Sequence, residues 1–215
     1  MKLRSLNLLL LSAVVVLCSG CNGGMRERRN FAEGDFLFQV LNGEALDSAI
    51  TEVTAVSGKP SFAHCAMVIK VADSLAIIEA IGDSVQVTSF AEFYARSGDS
   101  CNVVAKRLKR EYRKYIPSAV SFAMSKRGQL YDIEYLPNNG KWYCSELLAE
   151  AFNEAARGSG RDAKLFPFHP MTFKNPDTGT FPQTWIDYYA DLGIPIPEGE
   201  LGNNPNDLAG SDLFK

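Results

Sequence analysis

Three residues of the chain have side chains that together could perform nucleophilic catalysis: Cys144, His64 and Glu79. A cysteine nucleophile needs a base that takes its proton and a polar group that orients the base. The sequence contains two histidines, and His169 lies in a proline-rich segment where loop packing or contact with the edge of a substrate is the expected role. We therefore expect His64 to be the base. The alternative is that His64 is a satisfied core histidine.

Cys144 lies where a loop is predicted to become a helix. Residues 136–140 are turn formers, and the residues after Cys144 have the spacing of an amphipathic helix that ends near Gly158. The apolar face consists of Leu147, Leu148, Ala151, Phe152 and Ala155. A cysteine at a helix N-terminus is in a field that favours the thiolate, and the free N–H groups there can stabilise an oxyanion. The alternative is that Cys144 is a small buried hydrophobe.

Glu79 lies in an apolar run, residues 75–81, where a carboxylate is out of place unless it is paired or near water. A position on a solvated sheet face is the alternative. This run and residues 62–71 predict a β-hairpin around residues 72–74. His64 and Glu79 share a face only if paired positions add up to an odd number, which needs a two- or four-residue loop or a bulge. In the two-residue case they would be diagonal neighbours with Cα atoms about 7–8 Å apart. A plain three-residue turn would point them apart.

The remaining pattern predicts an α+β fold in which an antiparallel sheet or small barrel packs against helices. Strands are predicted at residues 36–40, 85–87 and 102–108, and helices at 44–56, 89–96 and from near Pro117 to Gly128. Residues 161–215 are rich in proline and glycine and predict an extended tail over the domain, with one short helix near 184–192. We expect residues 34–215 to form a single domain. With 215 residues and a net charge of -3, the composition gives no support for nucleic-acid binding.

The N-terminus predicts export. A short basic start is followed by an apolar run at residues 8–17, too short to span a bilayer comfortably. Residues 1–20 resemble a lipoprotein signal whose cleavage leaves Cys21 to carry lipid, and residues 21–33 suit a tether. The expected location is the bacterial cell envelope, with an ordinary secretory signal as the alternative. A Cys65–Cys101 disulfide is possible but is not predicted, since no framework spacing supports it.

Six motifs in the same order resemble the YiiX-like branch of the NlpC-type cysteine peptidases, the circularly permuted members with a papain-like fold. Two of them are the histidine at the start of a strand and Ile78-Glu79-Ala80 in the next, and a third is residues 143–147 around the cysteine. The others are residues 34–38, 104–108 and 128–132. The order histidine, glutamate, cysteine is the one that permutation implies.

The resemblance implies roles for the site residues. Cys144 would attack a carbonyl, His64 would accept and return its proton, and Glu79 would orient the imidazole. The N–H of Cys144, with help from Tyr143, would stabilise the oxyanion. Asp35 is an alternative polar member, with a role in the turn before the first strand preferred.

The implied activity is thiol hydrolysis of amide bonds, with cell-wall peptides as the first substrate class. A lipid-directed thiol hydrolase or acyltransferase is the second reading, because relatives in the wider superfamily act on acyl groups and the protein is expected beside lipid. A non-catalytic cell-envelope binding module is the third. None of these readings needs a metal or an organic cofactor, and the oligomeric state stays open.

Overall fold

The structure, a computed structural model, describes residues 31–41, 45–56, 58–98, 102–162 and 164–215. The predicted signal sequence, Cys21, most of the predicted tether and Cys101 lie outside these residues. The strands are β1 (Phe36–Gln39), β2 (His64–Val71), β3 (Ser74–Ile81), β4 (Ser84–Thr88), β5 (Val103–Lys106), β6 (His169–Pro170) and β7 (Leu201–Gly202). The helices are α1 (Ala45–Thr54), α2 (Phe90–Arg96), α3 (Ile116–Ser125), α4 (Cys144–Gly158), α5 (Gln183–Leu192) and α6 (Pro205–Ala209), with a 3₁₀ helix at Arg110–Tyr115.

The main sheet confirms the predicted α+β class. Its five strands are antiparallel to their neighbours in the order β4-β3-β2-β1-β5, so β2 lies at the centre. Both faces of β2 are covered, which explains its nearly continuous apolar sequence. Cys65, Met67 and Ile69 pack in the core shared with α3 and α4. Ala66 and Val68 pack on the other face, beside Phe93 of α2.

The β2–β3 hairpin has the register that brings His64 and Glu79 to one face. Val71 pairs with Ser74, so Ala72 and Asp73 alone form the loop. Continued along β2, this register places His64 opposite position 81, two residues from Glu79. The loop is therefore the two-residue case that the shared face requires, and Ser74, expected between the strands, is the first residue of β3.

Helix α4 holds the N-terminal cysteine against the sheet. It packs on α3 and on β2, and Leu147, Leu148 and Phe152 on its apolar face are fully buried. Burial of such side chains contributes about 1.5–3 kcal/mol each. Since these residues follow Cys144 within about two turns, packing of the helix places the cysteine at a defined point beside the start of β2.

The other predicted elements are present with shifted ends. Helix α2 begins at a capping box in which Ser89 and Glu92 bind each other's backbone N–H groups. Helix α3 has Pro117 in its first turn, as predicted, and ends at Ser125. Strand β5 stops at Lys106, and Leu108 instead forms an isolated bridge with Phe214. Within the described residues no helix is long and apolar enough to cross a membrane.

The tail contains more structure than the single helix predicted. Besides α5, it forms helix α6 and the β6–β7 pair. Asn204 caps α6 by accepting the N–H of Asp207 at 2.9 Å, and Pro205 begins the helix. Strands of two residues carry no periodicity, so their pairing depends on a partner about thirty residues away. Aromatic residues of the tail dock in a second core cluster with Val53 of α1.

Candidate active site

Cys144 is the first residue of α4, as predicted. Tyr143 is the N-cap with extended backbone, φ -88° and ψ 165°, and the first helical hydrogen bond runs from Leu147 N–H to its carbonyl at 3.1 Å. The N–H groups of Cys144 and Ser145 therefore precede the helical ladder. Their direction and the helix dipole favour negative charge on the cysteine sulfur. The thiol is 5% exposed, so it is reached through a cavity rather than from open solvent.

His64 connects the cysteine to a buried carboxylate. Its Nε2 lies 2.7 Å from Glu79 Oε2, and Glu79 is completely buried. The imidazole also interacts with the thiol of Cys144, and each group shifts the pKa of the other toward its charged form. Because Glu79 binds Nε2, Nδ1 is the ring nitrogen left for an interaction with the sulfur. The structure thus brings together Cys144, His64 and Glu79 in the order that a nucleophile, a base and an orienting group require.

The electrostatics of this group favour a thiolate beside an imidazolium. Burial alone lowers the pKa of His64, but hydrogen bonds with Cys144 and Glu79 outweigh it and raise the pKa from 6.5 to about 9. The pKa of Cys144 is held well below its usual value, first by a hydrogen bond from the Cys65 thiol and then, against the effect of burial, by His64. The cysteine is therefore ionised at a pH where an ordinary thiol is not.

Cys65 is a part of the site that the sequence analysis left without a role. The polar thiol and backbone N–H of Cys65 lower the pKa of Cys144. Burial and the neighbouring Cys144 raise the pKa of Cys65, so it stays protonated and donates. Cys65 points to the core face of β2, where the start of α4 is packed. The only indication in the sequence was that Cys65 lies next to His64. Adjacent residues of a strand point to opposite faces, so this position did not predict a contact between Cys65 and Cys144.

Arg96 was also missed. Its Nη2 lies 2.6 Å from both oxygens of Glu79, and its guanidinium lies 5.3 Å from the ring centre of Phe93. Burial alone would raise the pKa of Glu79, but hydrogen bonding with His64 and the charges of His64 and Arg96 lower it. The only indication in the sequence was that Arg96 lies in the last turn of a predicted helix. Basic residues are common there because they interact favourably with the helix dipole.

A cavity of about 350 Å³ opens beside the sulfur of Cys144. Most of its wall is apolar or aromatic, and a smaller polar part surrounds the start of α4 and α6. The large side chains on the wall are Tyr131, Tyr135, Tyr143, Met171, Phe173 and Trp185. Helix α1, the loop before α4 and the tail all contribute to it. The tail therefore builds part of the site, which the sequence analysis did not establish.

Tyr143 has a defined place in this cavity. Its hydroxyl accepts the backbone N–H of Asn203 at 3.2 Å and lies 4.0 Å from Met171 Sδ. Ser145 Oγ donates to the carbonyl of Asn203 at 3.3 Å. The tail is thus bonded to the residues on both sides of Cys144. Exposed His169 lies on the short strand β6 at the cavity wall, and not in a loop.

The loop that leads to Cys144 is organised by buried Asp132. Its carboxylate accepts the N–H groups of Glu134 and Leu136 at 3.0 and 2.8 Å and the side-chain amide of Asn139 at 2.9 Å. Three donors on one carboxylate give the loop a single conformation. The motif at residues 128–132 therefore has a structural role in presenting the cysteine.

Asp35 lies at a different ion pair. Its carboxylate accepts two hydrogen bonds from Arg107, Nε at 2.6 Å and Nη2 at 2.5 Å, and also binds the N–H of Ala32. This geometry supports the structural role in the turn before β1 and gives Asp35 no contact with Glu79 or His64. The pair also joins two of the sequence motifs, residues 34–38 and 104–108.

A helix that begins with a cysteine and packs against an antiparallel sheet bearing a histidine defines the papain-like class. The family described as "Permuted papain-like amidase enzyme, YaeF/YiiX, C92 family" matches residues 30–214. The chain therefore belongs to this family. The permutation is visible in the chain order, because β2 with His64 precedes α4 with Cys144.

A solved structure, titled as metalloprotein YiiX from Escherichia coli O157:H7, is similar in fold. It has a TM-score of 0.66 at 18% identity and covers 85% of this chain and 94% of that one. No match to a curated protein was found. Among the described residues of this chain, no group of three or more His, Cys, Asp or Glu side chains is placed to hold a metal ion. The residues here do not fit a metal centre of that kind.

Proposed function

We propose that this protein is a thiol amidase that hydrolyses amide bonds through Cys144, His64 and Glu79. The observation that carries the proposal is the hydrogen bond between the His64 imidazole and the buried carboxylate of Glu79, with the pKa values of the thiol and the imidazole shifted toward the ion pair. Membership of an amidase family supports the same class of reaction.

The reaction proceeds through a thioester. The Cys144 thiolate attacks the amide carbonyl, and the electron pair of the carbonyl moves to its oxygen. When the oxyanion collapses, the C–N bond breaks and the leaving amine takes the proton of the His64 imidazolium. Neutral His64 then removes a proton from water, which attacks the thioester, and a carboxylic acid and the Cys144 thiolate are released. Glu79 holds the imidazole orientation throughout and stabilises its charged form.

The oxyanion is stabilised at the start of α4. The N–H of Cys144 is a donor in this role, which contributes about 3 kcal/mol per donor in comparable hydrolases. Tyr143 is the proposed second donor. Its hydroxyl already accepts from Asn203, and its contact with Met171 Sδ at 4.0 Å is weak enough for an oxyanion to replace.

The first substrate class is the short peptides of the cell wall. The predicted export of the chain and its resemblance to NlpC-type peptidases favour this class. The test is release of free amines from purified muropeptides by the wild-type protein and by Cys144→Ala. Release by the wild type alone supports the proposal, and equal release by both proteins would reject the mechanism.

An acyl substrate is the second candidate, and the cavity favours it. A wall built mainly of aromatic and apolar side chains next to the nucleophile suits a hydrocarbon chain better than a charged peptide. The test is hydrolysis of N-acyl amino acids of increasing chain length. A kcat/KM that rises with chain length, without amine release from muropeptides, would assign the protein to this class. Tight muropeptide binding without any turnover would instead favour a binding module.

Anchoring by lipid at Cys21 is part of the same proposal. Several acyl chains on one cysteine give firm membrane attachment, because each buried methylene contributes about 0.8 kcal/mol. Radiolabelled palmitate should enter the wild-type protein and not Cys21→Ala. Equal labelling of the two would remove the anchor from the proposal and leave an ordinary secretory signal.

A further inference from the structure

The carboxylate of Glu79 is bound from two sides. On one side His64 Nε2 lies 2.7 Å from Oε2, and on the other Arg96 Nη2 lies 2.6 Å from both oxygens. Glu79 is 0% exposed, while the Arg96 side chain is 29% exposed. Arg96 therefore closes the outer side of a carboxylate that water does not reach.

A carboxylate buried in this way needs a cation to stay ionised. Transfer of an unpaired carboxylate from water to an apolar site is so unfavourable that the group takes up a proton instead. A protonated Glu79 would lose its attraction for the imidazolium of His64. The thiolate of Cys144 would then lose the counter-ion next to it.

We propose that Arg96 is a positioning residue of the site, which acts through Glu79 to keep the carboxylate ionised and aimed at His64. This inference rests on the proposed function, since it assigns a role in the same triad. Arg96 is not among the residues that line the cavity beside Cys144. Its effect on the thiol passes through two hydrogen-bonded neighbours.

The groups around Glu79 support this assignment. His64 faces it from β2, Thr88 of β4 helps to lower its pKa, and Arg96 and Glu92 lie on α2. Glu92 accepts from Ser89 in the capping box and is exposed. Cys65 and Cys144 lie beyond His64. Arg96 is thus the permanent cation in direct contact with the buried carboxylate.

Helix α2 is built to place this cation. Its capping box defines where the short helix starts, and Phe93 is fully buried against the sheet one turn before Arg96. The guanidinium lies over the Phe93 ring, and the same ring lies 6.1 Å from the imidazole of His64. Both contacts to Glu79 come from the single nitrogen Nη2, so a lysine ammonium can replace them if it reaches the carboxylate.

The experiment measures alkylation of Cys144 by iodoacetamide against pH in the full chain, with the modified peptide followed by mass spectrometry. The variants are Arg96→Gln, which removes the charge, and Arg96→Lys, which keeps it. Arg107→Gln is the matched control, because Arg107 also pairs with a buried carboxylate, Asp35, which precedes β1 and lies outside the site. Thermal unfolding of each variant is measured in parallel with the alkylation.

We expect the acid limb of the rate profile to move up by about one pH unit in Arg96→Gln, with about a tenfold slower reaction below it. In Arg96→Lys the acid limb should move by no more than about half of that shift. The profile of Arg107→Gln should match that of the wild type, even if this variant unfolds at a lower temperature. Coincident profiles for Arg96→Gln and the wild type would overturn the inference. So would equal shifts in the glutamine and lysine variants, since the charge would then not be the cause. If the pKa of Cys144 in the wild type is near the ordinary thiol value of about 8.5, the proposed triad is rejected, and not only the role of Arg96.

Discussion

His64 and Glu79 lie fifteen residues apart and meet across the β2–β3 hairpin with 2.7 Å between Nε2 and Oε2. The two-residue loop sets this contact, because a loop one residue longer would turn one of the side chains to the other face of the sheet. The hairpin therefore positions His64 and Glu79, and helix α4 positions Cys144. The hairpin also leaves Nδ1 of the imidazole for the thiol.

His64→Ala should raise the pKa of Cys144. The imidazolium is the nearest cation to the sulfur, and its removal leaves a buried thiolate without a counter-ion. Alkylation of Cys144 at pH 6–7 should fall at least tenfold. Amidase activity of the wild type should also decline above about pH 9, where His64 loses the proton that the leaving amine needs. A pH–rate profile of each protein checks both, and a profile unchanged in His64→Ala would exclude the pair.

Cys65→Ala should move the acid limb of Cys144 alkylation to higher pH by about one unit. The Cys65 thiol donates to the Cys144 thiolate, and alanine cannot. Cys65→Ser is the matched control, because its hydroxyl keeps a donor at the same position. We expect the serine profile to lie between the wild type and alanine, whereas identical alanine and serine profiles would mean that only the backbone N–H matters.

Asp35→Asn should destabilise the fold and leave the site unchanged. It removes the charge from a carboxylate that accepts two hydrogen bonds from Arg107, so we expect a loss of about 1–3 kcal/mol in the free energy of unfolding. Urea unfolding gives this value. The pH profile of Cys144 alkylation should be that of the wild type, and a shifted profile would restore Asp35 to the group around the imidazole.

Glu146→Gln should make the protein more stable at high pH. Burial and then the negative charge of Asp132 raise the pKa of Glu146 from 4.5 to about 8. Between these two values the folded state holds a proton that the unfolded state has released. The contribution of this group to stability therefore falls as the pH rises, by at most about 1.4 kcal/mol per pH unit.

Glutamine removes this pH dependence and keeps a polar side chain of nearly the same size in the first turn of α4. Urea unfolding at pH 5, 7 and 9 measures it. The difference between the variant and the wild type should grow with pH, and Glu150→Gln, from the same helix, should show a smaller trend. A constant difference would contradict the raised pKa of Glu146.

Local pattern was sufficient for much of the fold and for the choice of the central residues. Periodicity predicted a helix that begins at Cys144, and the apolar surroundings of Glu79 singled it out because buried carboxylates need partners. The parity condition on the β2–β3 hairpin was also available from the sequence. These features depend on residues close together in the chain, where spacing determines which face a side chain occupies.

The tertiary structure decided which distant groups meet. The two-residue loop between β2 and β3 set the register, and packing of α2 and α4 on opposite faces of the sheet brought Arg96 to Glu79 and Cys65 to Cys144. No periodicity records such contacts, because each depends on how two separate elements dock. The cavity has the same origin, since its wall combines α1, the loop before α4 and the tail. The sequence by itself determined which residues could act as nucleophile, base and orienting group. The docking of separate elements determined which side chains contact these residues and shift their pKa values.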